Sequence, residues 1–190
     1  MCRQFLWRQE ENSKAVQKIM AEIRRKSPNA ALPQIARPAN SIPYLLVSPE
    51  GTTTASVGRW GFQVQGKGLV YNARQETALT KGLFRGCFQN GRCIVPAHSF
   101  FEWDKERHCF AFSQKEKELL YFAALYRTHQ NGAEIVILTT HSSKTVDEVH
   151  HRMPLILGEK ELRPWLYDTS ASQFLLSQGI GALKKEIVEY

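Results

Sequence analysis

The chain has no run of apolar residues approaching the ~20 that a helix needs to cross a bilayer. It shows no signal peptide, because the stretch from Cys2 to Trp7 is too short and too polar for a hydrophobic core region. No internal repeat or low-complexity tract is visible. Cysteine is sparse: Cys2, Cys87, Cys93 and Cys109 are the four. Five residues separate Cys87 from Cys93, with His98 just beyond. That spacing does not match the common zinc patterns, so no metal site is expected, and the pair reads as small buried hydrophobes. Together these absences predict a cytoplasmic protein with reduced thiols and no membrane contact. Acidic residues are also scarce, with 18 Asp and Glu against 25 Lys and Arg, a formal net charge of +7. Such an excess suits an anionic partner such as nucleic acid, or simply keeps a small protein in solution; charge alone does not choose.

What is present is a folding composition, 43% hydrophobic and 11% aromatic. At 190 residues the chain fits one domain, residues 1–190, with little room for two. The spacing of Val16, Ile19, Met20 and Ile23 predicts a helix over roughly 12–26, capped by Asn12 or Ser13, with Arg24, Arg25 and Lys26 in its last turn. Residues 27–43 carry Pro28, Pro33, Pro38 and Pro43 and read as an ordered loop or surface arm. Strand-like runs follow at 43–47, 55–64, 92–96, 100–103, 108–112, 119–126 and 134–140, rich in β-branched and aromatic residues. A helix is expected over about 73–84, with Asn72 as its N-cap and Gln75 as the N3 partner. The last part reads as a helix at 143–149, a strand at 153–157, and helices near 159–167 and 170–178. The class is α+β: one domain with a mainly antiparallel, barrel-like sheet flanked by helices.

Four stretches can carry chemistry. Cys2 follows Met1 directly, and methionine aminopeptidases remove Met1 when the next residue is as small as cysteine. The exposed residue would hold an amine that titrates near ~8 and a thiol near ~8.5 on adjacent carbons. Given an aldehyde, the amine forms an imine and the thiol closes a thiazolidine; a ring-opened abasic site presents such an aldehyde. While Met1 remains, only the thiol can act. The plain alternative is an accidental cysteine at position 2.

In Ser99-Phe100-Phe101-Glu102-Trp103, strand alternation puts Phe101 and Trp103 on one face and Phe100 and Glu102 on the other. Glu102 is either a surface glutamate on an edge or a carboxyl buried among aromatics, where its pKa would rise and suit it to move protons near neutral pH. His150-His151-Arg152-Met153-Pro154 offers a histidine for acid/base work or a satisfied structural one, on a strand start or sheet edge because Pro154 cannot donate to a ladder. Arg152 suits a phosphate or a carboxylate. Tyr71 to Thr77 offers a helix start whose amides, with Arg74 on the first turn, form an anion site, or simply a capped helix. Trp60, Trp103 and Phe101 offer faces for unpaired bases.

Taken together, these stretches resemble the SOS-response-associated peptidase family, the abasic-site processing proteins. The motifs run in the family's order: Cys2, Trp60-Gly61, Asn72 to Thr77, Arg92 to Ala97, Phe101 to Trp103, Leu138 to Thr140, and His150 to Pro154. The resemblance covers residue 2 to about 166. It implies an antiparallel barrel-like fold with a basic groove for single-stranded DNA, and it implies roles. Cys2 would be the nucleophile and crosslinking residue, and Glu102 would move protons. His150 would be the acid/base partner, and Asn72 would orient the cysteine terminus or substrate. Arg74 and Arg152 would hold phosphates, with Arg3, Trp60, Trp103 and Phe101 completing the DNA-binding set. No cofactor is implied, since aldehyde capture needs none. The chain departs from the family in reading Cys2-Arg3-Gln4 for Cys-Gly-Arg, and Gly91 for an arginine before Arg92. It also has His98-Ser99-Phe100-Phe101 for Asp-Gly-Phe-Tyr, and Arg37-Pro38-Ala39-Asn40 with Pro43 in the early Asn/Pro segment. The catalytic set is retained while part of the DNA-contact set has drifted.

Three functions follow. The first is covalent capture of abasic single-stranded DNA by a cytoplasmic, monomeric protein, associated with the nucleoid when bound, after autocatalytic or aminopeptidase removal of Met1. The second is a thiol peptidase using Cys2, Glu102 and His150, whose only substrate would be its own Met1 peptide bond. The third is a non-catalytic single-strand binder. A crosslink that depends on Cys2 separates the first from the other two.

Overall fold

A computed structural model of the chain describes residues 2–114, 118–177 and 183–188. In its first half lie β1 (Gln4–Leu6), α1 (Lys14–Lys26), β2 (Ile35–Ala36), β3 (Ser41–Val47), β4 (Thr53–Trp60), β5 (Phe62–Val64), β6 (Gly68–Val70), β7 (Asn72–Arg74), α2 (Gln75–Ala78) and α3 (Gly82–Asn90). There follow β8 (Arg92–Ala97), β9 (Ser99–Trp103), β10 (Cys109–Gln114), β11 (Leu120–His129), β12 (Gly132–His141), α4 (Lys144–Asp147), β13 (Arg152–Pro154) and β14 (Ile156–Leu157). A 3₁₀ turn at Glu159–Glu161 leads into α5 (Leu162–Tyr167), α6 (Thr169–Leu175) and β15 (Leu183–Val188).

Strands β12, β4, β3, β8 and β11 pair in that order, and β11 pairs back to β12, which closes a five-stranded barrel. All its pairings are antiparallel except β12 with β4, so the expected α+β class with a mainly antiparallel barrel is what forms. A second sheet runs β15-β10-β9-β1-β2.

The barrel strands are buried on both faces, which explains their unbroken apolar runs. Along β12, Ile135 and Ile137 join one core cluster while Val136 and Leu138 join another. The first cluster holds the second sheet's Phe5, Phe100 and Phe112 and the α1 face of Val16, Ile19, Met20 and Ile23. The second holds Phe84, Phe88 and Trp165 from the helices on the other side. Helix α1 matches the periodicity, and Ser13 is its cap, its side chain accepting from the Val16 amide at 3.3 Å.

Two expectations change. The helix over 73–84 is instead β7, α2 and α3. Asn72 sits on a strand that pairs in parallel with β12, opposite Ile137, and is not a cap. Tertiary pairing with β12 overrides the capping pattern. The run 55–64 is broken at Gly61, whose φ of +120° suits glycine; a Cβ there would lie 2.6 Å from Leu69. The three-residue β1 escaped the sequence reading because it is too short to show a period. The expected helix at 170–178 is α6, Thr169–Leu175, with Gln178 outside the described residues.

Gly91, where the resemblance leads one to expect an arginine, has a physical reason of its own. A Cβ at 91 would lie 2.2 Å from the Tyr126 carbonyl oxygen, which belongs to the backbone and cannot swing aside. We expect Gly91→Ala to destabilise the fold by about 3 kcal/mol, the upper range for overpacking, read as a lowered urea midpoint at unchanged slope.

Candidate active site

Strand β1 delivers Cys2. It pairs antiparallel with β9, Gln4 opposite Phe101 and Leu6 opposite Ser99, which carries residues 2 and 3 alongside Glu102 and Trp103. Cys2 is fully buried and joins the main core cluster, its Sγ 3.5 Å from the Gln4 carbonyl oxygen. Burial, and then the nearby Glu102 charge, push its thiol well above the ordinary range. From β7, Asn72 Nδ2 donates to the Cys2 carbonyl at 2.8 Å. Its Oδ1 is buried with no hydrogen-bond partner among the described residues. One side chain thus holds the Cys2 backbone through its amide nitrogen and keeps an acceptor in reserve.

Glu102 is only 4% exposed on β9. Burial lifts its carboxyl from the usual 4.5 to about 7, with the Arg3 charge pulling the other way. At neutral pH such a group is present in both protonation states and can take or give a proton.

His150 follows α4, whose last turn holds the His150 amide to the Val146 carbonyl at 2.8 Å. Its ring stacks on His151 at 4.5 Å. Burial lowers its pKa below the ordinary value, so the ring is neutral at pH 7. Its Nδ1 lies 3.0 Å from both the Arg152 amide and the Arg152 carbonyl oxygen, so the backbone of residue 152 holds the ring whichever nitrogen carries the proton. Glu102 and His150 line one open pocket of about 470 Å³, together with Arg3, Tyr71, Arg74 and Trp103. The proton-moving groups, and the cysteine beside one of them, come from three distant parts of the chain.

Residues 1–187 match the profile of the family described as SOS response associated peptidase (SRAP). The chain belongs to the SRAP family. Abasic site processing protein YoaM of Bacillus subtilis is 36% identical over 112 residues, which cover 54% of this chain and 49% of YoaM. Abasic site processing protein YedK of Escherichia coli is 32% identical over 104 residues, 51% of this chain and 47% of YedK. Abasic site processing protein HMCES of Xenopus tropicalis is 32% identical over 123 residues, 50% of this chain and 37% of HMCES. The chain thus matches less than half the length of these relatives. A crystal structure of a Bordetella bronchiseptica protein shares the fold with a TM-score of 0.79 at 20% identity, covering 100% of both chains. One from Bacteroides thetaiotaomicron gives 0.78 at 19%, covering 99% of this chain and 92% of that one.

The SRAP pocket gathers Arg3, Arg74 and Trp103 from the expected DNA-binding set. It does not gather the rest of that set in usable form. Trp60 is fully buried and its Nε1–H donates to the Tyr71 carbonyl at 2.9 Å, so it has no face for a base. Phe101 is buried among core residues. Arg152 lines the pocket, but the residue is 4% exposed and its guanidinium is committed. It donates to both Glu76 carboxylate oxygens, at 2.5 and 3.1 Å, and to the Thr139 carbonyl at 2.6 Å. It therefore anchors the 150–152 segment rather than waiting for a phosphate. The anion site expected at the helix start is also absent: α2 has four residues, and the position before it is Arg74, which makes no capping bond. Sequence reasoning assigned no role to Tyr71 or Glu76. Glu76 stood inside the Asn72–Thr77 motif, and its charge complementarity to Arg152 was the available signal.

One trio among the described residues, Asp104, Glu106 and His108, brings possible metal-ligating atoms together. It lies on the β9–β10 turn, where Asp104 Oδ1 already accepts the amides of Glu106 and His108 at 2.9 and 2.8 Å. An acidic turn of this kind is no metal site by itself.

Proposed function

We propose that this chain captures abasic sites in single-stranded DNA as a covalent thiazolidine on Cys2, once Met1 has been removed. The observation that carries the reading is that Glu102 and His150 line one pocket with Arg3 and Arg74, while Cys2, held by Asn72, is buried close enough to feel the Glu102 charge.

The chemistry follows from these groups. The C1′ hydroxyl of the closed sugar gives its proton to the basic nitrogen of neutral His150 as the C1′–O4′ bond breaks, and O4′ takes a proton back from the imidazolium, which leaves the C1′ aldehyde and neutral His150. The Cys2 amine adds to that carbon, and protonated Glu102 gives its proton to the departing hydroxyl, which leaves as water. The imine carbon then takes the Cys2 sulfur, while ionised Glu102 receives the thiol proton. Asn72 holds the Cys2 carbonyl and offers Oδ1 to the new amine. Arg3 and Arg74 supply phosphate contacts, and Trp103 a stacking face.

The raised Cys2 thiol weighs against a general thiol peptidase, which needs a thiolate at neutral pH. Amine-first attack needs no thiolate until the imine exists.

The test is a denaturing gel of protein confirmed to begin at Cys2, mixed with a single-stranded oligonucleotide carrying one abasic site. We expect a shifted band that survives boiling and disappears with Cys2→Ala. No band from the processed protein would overturn the reading. Binding without a band would favour a non-covalent binder.

A further inference from the structure

His151 lines the catalytic pocket beside His150. The two rings lie nearly flat on one another, with centroids 4.5 Å apart and planes 20° from parallel. They differ in exposure: His150 is half-buried and His151 is exposed. Backbone bonds on both sides fix the stack. The His150 amide donates to the Val146 carbonyl at 2.8 Å, and the Ser142 amide donates to the His151 carbonyl at 3.2 Å. The backbone of residue 152 holds His150 Nδ1.

A second positive charge on such a pair is costly. Two unit charges at the 4.5 Å ring separation repel, even in water, by enough to change an equilibrium about fivefold. The rings therefore titrate as a pair, and the first proton goes to the one that water reaches. The surroundings act in the same direction. The pocket wall carries Arg3, Arg74 and Arg152, and Glu102 is the one carboxylate among its described residues. Glu76, beside it, is taken by Arg152 and lies 3.3 Å from His141 Nε2. In processed protein the Cys2 amine adds another positive group. Burial first, and then positive charge around it, holds His150 below the ordinary histidine value.

A base must be neutral to accept a proton. We propose that His151 is a positioning residue for capture: as pH falls its exposed ring takes the incoming proton, and that charge keeps the stacked His150 neutral and able to accept the C1′ hydroxyl proton. The inference rests on the reading of this pocket as a site for abasic DNA. His151 touches no reacting atom in this scheme; it acts through His150. The pocket thereby stays competent at a lower pH than a lone histidine allows.

The test compares wild type with His151→Phe, which keeps a flat ring without charge, and His151→Lys, which keeps a charge without the ring. Histidine Cε1–H signals are followed by NMR from about pH 5 to 8 in full-length protein retaining Met1, with His150→Gln identifying the His150 signal. His150 should titrate at higher pH in His151→Phe than in wild type, and no higher than wild type in His151→Lys. An unmoved His150 titration in His151→Phe overturns the proposal. Single-turnover capture of a single-stranded abasic oligonucleotide by Cys2-exposed protein is measured over the same range. The rate of His151→Phe relative to wild type should be near one at pH 8 and fall roughly twofold to threefold by about pH 5.5, since Brønsted behaviour passes part of the fivefold to the rate. His151→Lys should keep the wild-type acid limb. A constant ratio, or equal acid limbs for the phenylalanine and lysine variants, overturns the proposal as well. His151→Gln, also uncharged, should reproduce the phenylalanine result, so a folding fault in one variant leaves the other to decide. No capture by any of these proteins sinks the catalytic reading, and the NMR titration still decides the coupling of the two rings.

Discussion

Replacing Glu102 with glutamine should slow single-turnover capture of an abasic oligonucleotide by roughly 10²–10⁴-fold, the usual contribution of a positioned proton-transfer group. The same change should make the folded protein more stable above pH 7. Glu102 is 4% exposed, and its carboxyl sits at about 7 in the fold against an ordinary 4.5. A raised carboxyl favours the folded state below the unfolded value, near 4.5, and that contribution is lost as pH climbs through about 7. The displacement corresponds to about 3 kcal/mol. Wild type retaining Met1 should therefore lose up to about that much between pH 4.5 and 8, and Glu102→Gln should lose much less over this window. Urea melts at a series of pH values, beside the rate of capture against pH, check both halves. A variant that is slower and also less stable at pH 8 would show that Glu102 is structural.

Breaking the Arg152–Glu76 pair has the second large effect. Arg152 is 5% exposed at its side chain and Glu76 is 39% exposed, so the two partners are unequal. Glu76→Gln strands a buried guanidinium that then keeps its bonds to the carbonyl and hydroxyl oxygens of Thr139. We expect a loss of about 3 kcal/mol, the low end for removing one partner of a buried pair because Glu76 is partly solvated. Arg152→Met leaves a carboxylate that water can reach, and it should cost less. The double variant should cost less than the sum of the singles in a double-mutant cycle. The Arg152 backbone also holds His150 Nδ1, at 3.0 Å from both its amide and its carbonyl oxygen. Loosening this segment should therefore slow capture beyond the change in stability, in a pH-dependent way. Additive stability losses would mean that the pair is not coupled.

The arrangement separates two kinds of work. The barrel is packed on both faces and holds β7, β12 and β13 in register, so Asn72, Thr139 and Arg152 have fixed positions. The second sheet holds β1 against β9, so Cys2 and Glu102 do too. The site is built where these two sheets meet, on strand ends and on the short segment after α4.

Much of this was legible in the residues themselves. The β-branched and aromatic runs of β8, β11 and β12 announced strands, and the packing showed that both of their faces are buried. The α1 stripe announced one helix face, and the ordered motifs announced Cys2, Asn72, Glu102 and His150 as a set. Periodicity and residue chemistry are local, and the sequence carries them whole. What only the tertiary structure decided depends on neighbours distant in sequence. Asn72 spends its amide on Cys2 because β7 pairs with β12, not because it caps a helix. Trp60, Phe101 and Arg152 carry the right chemistry for DNA yet are buried, since exposure belongs to the packing and not to the residue type. Glu102 rises to about 7 because the fold strips away its water. Whether a charged or aromatic side chain faces solvent, a partner or a substrate is settled by which strands pair and which faces close.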